Sequence, residues 1–373
     1  MMQLFVRARP RRVIGAIAAA IGAIFIIGFV FAWSGIYNIA ASRGHWAVVE
    51  WMLEFGMSNS VKRRAWAIEV PPLDQPDLYV LGAAHFHRAC AHCHGAPGLK
   101  GDLTARRALP PPPDLTHVSR QWKDNELFWI VKHGIKYTGM PAWVALERDD
   151  EVWAVVAFLK KLPELDPDAY RRLARGTAEV PQPSGRDIAR VGISVDVVGA
   201  CARCHGAEEG RPASDLVPVL HGQPRDFLVA ALQSYAAGNR HSGFMQPVAS
   251  ELAPDDIEKL ASYYSALPVP KTARAATAAK TDALATAGDP VARIPACIGC
   301  HDGKALPIYP RLDGQNAAYM ANRLQRWKNG SLPWFDNEAI MAPIARLLSD
   351  EQITELSAYF AARPPEHEAG RLP

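Results

Sequence analysis

Apolar residues are distributed in two ways along this chain. Near the amino end, Val13 to Trp33 is a run of 21 residues without a charge, long enough to cross a bilayer as a helix. Beyond it, apolar residues recur at helical intervals between polar ones. One frame occurs three times: Val152, Val155 and Phe158 before Pro163; Ile257, Leu260 and Tyr263 before Pro268; Ile353, Leu356 and Tyr359 before Pro364. Apolar spacing of this kind predicts a helix with one buried face, and each proline marks where that helix has ended. Ser349 and Gln352 add a capping box to the third copy. Leu78 to Ala89 predicts another helix, in which Gly82 would allow a close crossing with the first closing helix. Gly44 to Trp66 carries Trp46, Val49, Met52, Leu53 and Phe55 ahead of Lys62-Arg63-Arg64. That pattern suits an amphipathic helix on a membrane surface, a contact with a partner subunit, or a cover on the first domain.

Charge orients the first run. Arg7, Arg9, Arg11 and Arg12 precede it, and only Arg43 lies within the twenty residues after it. By the positive-inside rule the amino terminus stays cytoplasmic and everything from Ser34 onward faces the other side. A cleavable signal peptide is the competing reading, with Ala40-Ala41 as a small-residue site, but its apolar core is usually about 7 to 15 residues. Either way the body of the chain is exported. The net charge is +3, and without the four amino-terminal arginines it becomes −1, so the exported body is near neutral and has no nucleic-acid footprint.

The 373 residues leave room for several domains, and the cysteines indicate three. Cys-x-x-Cys-His occurs as Cys90-Ala-His-Cys93-His94, Cys201-Ala-Arg-Cys204-His205 and Cys297-Ile-Gly-Cys300-His301, which uses all six cysteines. Two thiols on one turn can each add to a vinyl group of haem, and the following histidine is then held against the iron. A structural zinc site would need a second half-site close in sequence, whereas these pairs lie roughly a hundred residues apart. A redox dithiol is a further alternative. Structural disulfides fit poorly, because cysteines three apart on a helix are badly placed to bridge.

A second ligand recurs with the first. Met140, Met245 and Met341 follow His94, His205 and His301 by 46, 40 and 40 residues, and each stands at the same offset from its closing helix. A methionine is most often a core gap-filler. Here prolines flank all three, at Pro141, Pro247 and Pro343, predicting loops that hold a thioether. Such a soft sulfur opposite the histidine closes the sixth position and raises the potential. Between histidine and methionine, Pro218-Val-Leu-His-Gly222-Gln223 matches Pro310-Arg-Leu-Asp-Gly314-Gln315, with Pro113-Asp-Leu115 as a reduced version. A ligating histidine needs its other ring nitrogen tied to an acceptor, and the carbonyls of Pro113, Pro218 and Pro310 are the candidates. Pro290 and Pro295 precede Cys297, so the first helix of the third copy is expected to be short or bent. His85, His87, His92, His117, His221 and His241 read as surface or packing residues, given a methionine candidate in every copy.

On these residues the chain resembles class I c-type cytochrome domains, three in a row. The second and third copies are similar to the two halves of dihaem cytochrome c4, through Cys-x-x-Cys-His, Pro-x-Leu-x-Gly-Gln, the Leu232-Gln233 and Leu324-Gln325 helix turns and the methionines. The first is similar to haem domains attached to cbb3-type oxidases, through Cys-Ala-His-Cys-His-Gly and Gly-Met-Pro. The expected fold is all-α: a cytoplasmic basic tail (1–12), a transmembrane anchor (13–33), a membrane-proximal amphipathic segment (34–71), and cytochrome domains over 72–165, 187–269 and 288–365. Linkers are expected over 166–186 and 270–287. The resemblance implies three covalently attached haems c, bound through the six cysteines and ligated by His94 and Met140, His205 and Met245, His301 and Met341. No catalytic residue stands out. The expected role is an electron relay at the bacterial inner membrane, haem domains in the periplasm, between a dehydrogenase or quinol-oxidising complex and an oxidase or soluble carrier. The alternatives are a cytochrome subunit of a larger dehydrogenase or oxidase, and a haem peroxidase in which His133 replaces Met140 or the first haem has an open position.

Overall fold

The charge-free run forms α1 (Pro10–Ser34), and none of its apolar window from Val13 is buried. The computed structural model describes residues 10–176, 195–208, 210–270, 279–302, 306–330 and 338–364. Among these there is no strand, only isolated bridges between Ala96 and Leu99 and between Asp289 and Ile294. After α1 comes α2 (Ala47–Ala65), then α3 (Pro76–His85), α4 (Asp124–His133) and α5 (Asp149–Lys161). The carboxyl end of α2 belongs to the first domain: Val61 and Ala65 are fully buried, and Asn125 Nδ2 of α4 donates to the Ala65 carbonyl at 2.9 Å. Its amino-terminal half leaves Trp51, Met52, Leu53 and Phe55 exposed.

The first domain is built on the crossing of α3 and α5. A Cβ added to Gly82 would lie 2.1 Å from the Ala154 carbonyl oxygen and 2.6 Å from Phe158 Cβ, so the two backbones meet where the sequence placed the glycine. Phe86, Val152, Val155 and Phe158 are 1% exposed or less, each contributing about 2 kcal/mol by burial. Asp149, Asp150 and Glu151 open α5, and Lys160 and Lys161 close it, each matching the sign of the helix dipole at its end. The predicted helix over 78–89 is α3, continued by one π-helical turn from Phe86 to Cys90.

The expected linker starting at 166 does not begin there. Asp166 caps α6 (Pro167–Arg175), accepting from the amides of Asp168 and Ala169, and Tyr170 and Ala174 are buried in the first core. Tyr170 is the cause: its ring meets Phe86 edge-on, centroids 6.4 Å apart. The linker part of that segment, 177–186, lies outside the described residues.

The second domain comprises α7 (Val195–His205), α8 (Arg225–Ala236), α9 (Met245–Ser250) and α10 (Pro254–Ala266). The third comprises α11 (Ala279–Ala287), α12 (Ala317–Lys328), α13 (Glu338–Leu347) and α14 (Asp350–Ala362). α11 occupies the end of the second expected linker and joins the third core: Ala285 is buried, and Thr281 Oγ1 donates to Glu355 Oε2 at 2.9 Å. Pro290 and Pro295 separate α11 from a short turn at Ile298–His301, the break expected for this copy. All nine frame positions of the three closing helices, from Val152 to Tyr359, are buried.

The second and third domains join through equivalent residues. Gln315 donates to the Val219 carbonyl at 3.0 Å and accepts from the Val219 amide at 2.7 Å. Gln223 makes both bonds, each at 2.9 Å, to the backbone of Arg311. Gly222 and Gly314, at φ 63° and 76°, turn the chain into this arrangement, a conformation that favours glycine. Their amides donate to the carbonyls of Tyr264 and Phe360 on the closing helices.

Candidate haem sites

Each Cys-x-x-Cys-His is helical: in the first and third copies it lies on a short turn after the domain's first helix, and in the second it forms the carboxyl end of α7. Gly95 and Gly206, at φ 68° and 75°, end the turns of the first two copies, which places the histidine at the last helical position. Its Nδ1 meets the expected proline carbonyl in every copy: His94 to Pro113 at 2.9 Å, His205 to Pro218 at 3.0 Å and His301 to Pro310 at 2.7 Å. With Nδ1 as donor, Nε2 is left with the lone pair that a metal needs. Burial lowers the pKa of all three histidines, partly opposed by the proline carbonyl, which favours the neutral ligand form.

Four of the six thiols are shifted away from redox reactivity. Burial pushes Cys90 and Cys201 up to about 12 and raises Cys204 and Cys297, whereas a reactive dithiol needs a lowered pKa. All six sulfurs are unbridged. Among the described residues no three His, Cys, Asp or Glu side chains converge on a common point, which leaves the zinc reading without a site.

A cavity of about 1320 Å³ runs between the second and third copies and reaches the first domain at His85, Arg88, Glu151 and Trp153, larger than the roughly 300–1,000 Å³ of a typical single-ligand pocket. Cys201, Cys204, His205 and Met245 line it from one domain, and Cys297, Cys300, His301 and Met341 from the other. Its remaining wall is largely apolar, with Leu228, Leu232, Leu324 and Ile344 among its residues. Two buried donors at this wall, Trp327 Nε1 and Arg311 Nε, have no hydrogen-bond partner among the described residues. A macrocycle with apolar faces and carboxylate edges fits this combination.

The three methionines are presented differently. Met140 is in a loop, its amide donating to Thr138 Oγ1 at 3.1 Å and its carbonyl accepting from Ile135 at 3.3 Å. Met245 instead opens α9, and Met341 lies within α13, so the expectation of a loop fails for these two. The flanking proline does not prevent helix there: Pro247 is in the first turn of α9, where its missing N–H has no intrahelical role. The cross-domain role of Gln223 and Gln315 was not drawn from the sequence, although their repetition was visible. Glu151 carried no signal at all beyond its place near a helix start.

Comparison with known proteins agrees with this geometry. The family model described as cytochrome c oxidase, cbb3-type, subunit III matches residues 79–159. The "thiosulfate dehydrogenase electron acceptor" of Thiomonas intermedia is 36% identical over 174 residues, 44% of this chain and 79% of that protein. Cytochrome c4 of Thiocapsa roseopersicina is 33% identical over 167 residues, 43% of this chain and 85% of that protein. The crystal structure of reduced cytochrome c4 from Pseudomonas stutzeri covers 48% of this chain and 100% of its own, at 29% identity and a TM-score of 0.43. The chain belongs to the class I c-type cytochromes. It is an electron-transfer protein that carries covalently bound haem c.

Proposed function

We propose that the chain is a membrane-anchored cytochrome with three haems c, passing single electrons between a membrane or periplasmic dehydrogenase, or a quinol-oxidising complex, and an oxidase or soluble carrier. The observation that carries this reading is the repetition of one ligand-support arrangement: three Cys-x-x-Cys-His turns, each histidine tied to a proline carbonyl. Each copy adds its own methionine, Met140, Met245 or Met341. Bound haem c supplies the one-electron couple. Cys90 and Cys93, Cys201 and Cys204, Cys297 and Cys300 would hold it covalently, the proline carbonyls fix the plane of each histidine, and the methionine thioethers would complete its ligands.

With α1 as the anchor, the four leading arginines retain the amino end in the cytoplasm and the haem domains work in the periplasm. One relative is named "thiosulfate dehydrogenase electron acceptor", and a dehydrogenase of that kind is the donor to test first. The partners are proteins, with no nucleic acid.

A potentiometric titration of the purified full chain tests the ligand set. Substituting Met140, Met245 or Met341 by Ala is expected to lower one component of three by on the order of 0.1 V, within the roughly 0.8 V that axial ligands command. Each variant should also bind carbon monoxide at one haem. Fewer than three components, or potentials unmoved by the substitutions, would refute the assignment.

A further inference from the structure

The amino end of α5 does more than begin a helix. Glu151 is 4% exposed, and both its carboxylate oxygens point out of the first domain into the 242–245 segment of the second. Ser242 Oγ donates to Glu151 Oε1 at 2.6 Å, and the Gly243 amide donates to Oε2 at 2.6 Å. The same Ser242 oxygen accepts from the amides of Phe244 at 3.2 Å and Met245 at 3.1 Å. A hydroxyl has one proton and two lone pairs. Committing the proton to Glu151 therefore turns the lone pairs toward the start of α9, where Met245 sits.

The surroundings leave this segment little room. A Cβ on Gly243 would lie 2.2 to 2.5 Å from the Trp143 indole, and the Phe244 ring packs against Trp143 and His85 at 5.8 and 5.0 Å. Trp143 and His85 both belong to the first domain. Glu151 is in turn held by Arg148 Nη2 at 2.8 Å, which also donates to Asp150 at 3.1 Å, while Nη1 reaches the His241 carbonyl at 2.9 Å and Nε reaches Asp150 at 3.0 Å. Arg326 of the third domain completes the group, donating to Asp150 and to the Glu147 carbonyl, each at 2.6 Å. Two arginines and two carboxylates balance, which such a buried cluster requires.

We propose that Glu151 is a positioning residue for Met245, so that the first domain sets the potential of the haem in the second. This rests on the reading of Met245 as an axial ligand. A soft thioether favours reduced iron, and a loosened Met245 segment therefore lowers that one potential. No residue of the second domain's own core need change.

The test uses the full-length holoprotein, with potentials resolved by haem and the methionine–iron charge-transfer band recorded for Glu151→Ala, Glu151→Gln, Ser242→Ala and Met245→Ala. Glu151→Ala is expected to shift one component downward by a factor of about ten in its redox equilibrium, or 59 mV for a one-electron couple, and to weaken one third of the band. Ser242→Ala should move the same component. Glu151→Gln retains an acceptor oxygen and should recover most of the shift. The component affected must be the one that Met245→Ala moves, with the other two unchanged as a measure of intact folding. If Met245→Ala moves a component and Glu151→Ala leaves it in place, the positioning role is wrong. Equal movement of all three components by Glu151→Ala would make it a general structural residue and overturn the proposal as well. If Met245→Ala moves nothing, the ligand reading itself is at fault, and the proposal falls with it.

Discussion

The second and third domains attach to each other differently from the way the first attaches to both. Between the later two, the seam is made of amides: Gln223 and Gln315 each satisfy one N–H and one C=O of the facing domain. The residues they bond, Arg311 and Val219, directly follow the prolines that hold His301 and His205. The proline that holds the motif histidine and the residues of the interface thus belong to one short motif. The first copy has Pro113 and the bond to His94 but no Gly-Gln after it, and it meets its neighbours through charge and aromatic packing instead. Arg148, Asp150, Glu151 and Arg326 form the charged part of that contact, together with the ion pair of Arg88 and Glu251, and Phe244 packs on Trp143 and His85 beside it. Burial alone would raise the pKa of Asp150, but Arg148 and Arg326 more than offset it and hold the carboxyl below its ordinary value. Two domains joined by buried amides are expected to unfold as one unit, while a third joined by charge and aromatic packing is expected to be altered with less disturbance to the others.

The largest effect expected from this difference is at the amide seam. Gln223 and Gln315 are 3% and 6% exposed; removing Gln223 strands the N–H and C=O of Arg311, and removing Gln315 strands the N–H groups of Val219 and Asn316, at about 1–3 kcal/mol each. Gln315→Ala should therefore cost about 4 kcal/mol and lower the unfolding midpoints of both later domains together, as should Gln223→Ala. Calorimetry of the two variants checks this. Loss of stability confined to the domain carrying the substitution would show that the two are not one unit. A somewhat smaller and more local effect is expected from Gly82→Ala, at about 3 kcal/mol for overpacking a helix crossing. It should lower the first transition only, because the clash is with Ala154 and Phe158 of the same domain.

Much of this organisation was legible in the sequence because repetition filters chance. A single Val152-Val155-Phe158 pattern is an ordinary helix face, but the same frame beside Ile257 and Ile353 fixed three closing helices, and all of its positions are buried. The proline carbonyls were predictable because a ligating histidine must place its second nitrogen somewhere. Gly82 was readable for a similar reason, since a glycine inside a helix carries a cost that a close crossing can offset. What could not be read was whatever depends on how domains meet. The role of Gln315 needs Val219 beside it, and that of Glu151 needs Ser242, each from a distant part of the chain. The helices around Met245 and Met341 run against the reading of proline as a breaker: Pro247 stands in the first turn of α9, where it is tolerated, whereas Pro343 lies inside α13. α6 is hard to read because a charged, proline-started segment masks the residues, Tyr170 and Ala174, that anchor it in the core.

The smallest effect tests the same seam through pH. His221 occupies the position of Asp313 in the repeated motif, is fully buried, and sits beside Tyr264 with ring centroids 5.9 Å apart. Burial lowers its pKa from 6.5 to about 4. The folded protein therefore keeps His221 neutral across an interval in which the unfolded chain takes up a proton. Because the unfolded state binds more protons there, stability is fully present above 6.5 and declines as pH falls toward 4. One proton corresponds to about 1.4 kcal/mol per pH unit, so the loss by about pH 5 is about 2 kcal/mol. His221→Leu should abolish that slope in urea titrations of the later two domains and leave the first domain's pH profile as it was. Asp313 cannot substitute for it in the third copy, since its carboxylate is already bound to Arg363 at 3.0 Å. If wild type and His221→Leu lose stability in parallel between pH 6.5 and 5, the proton is taken up elsewhere and the seam is not the acid-sensitive element.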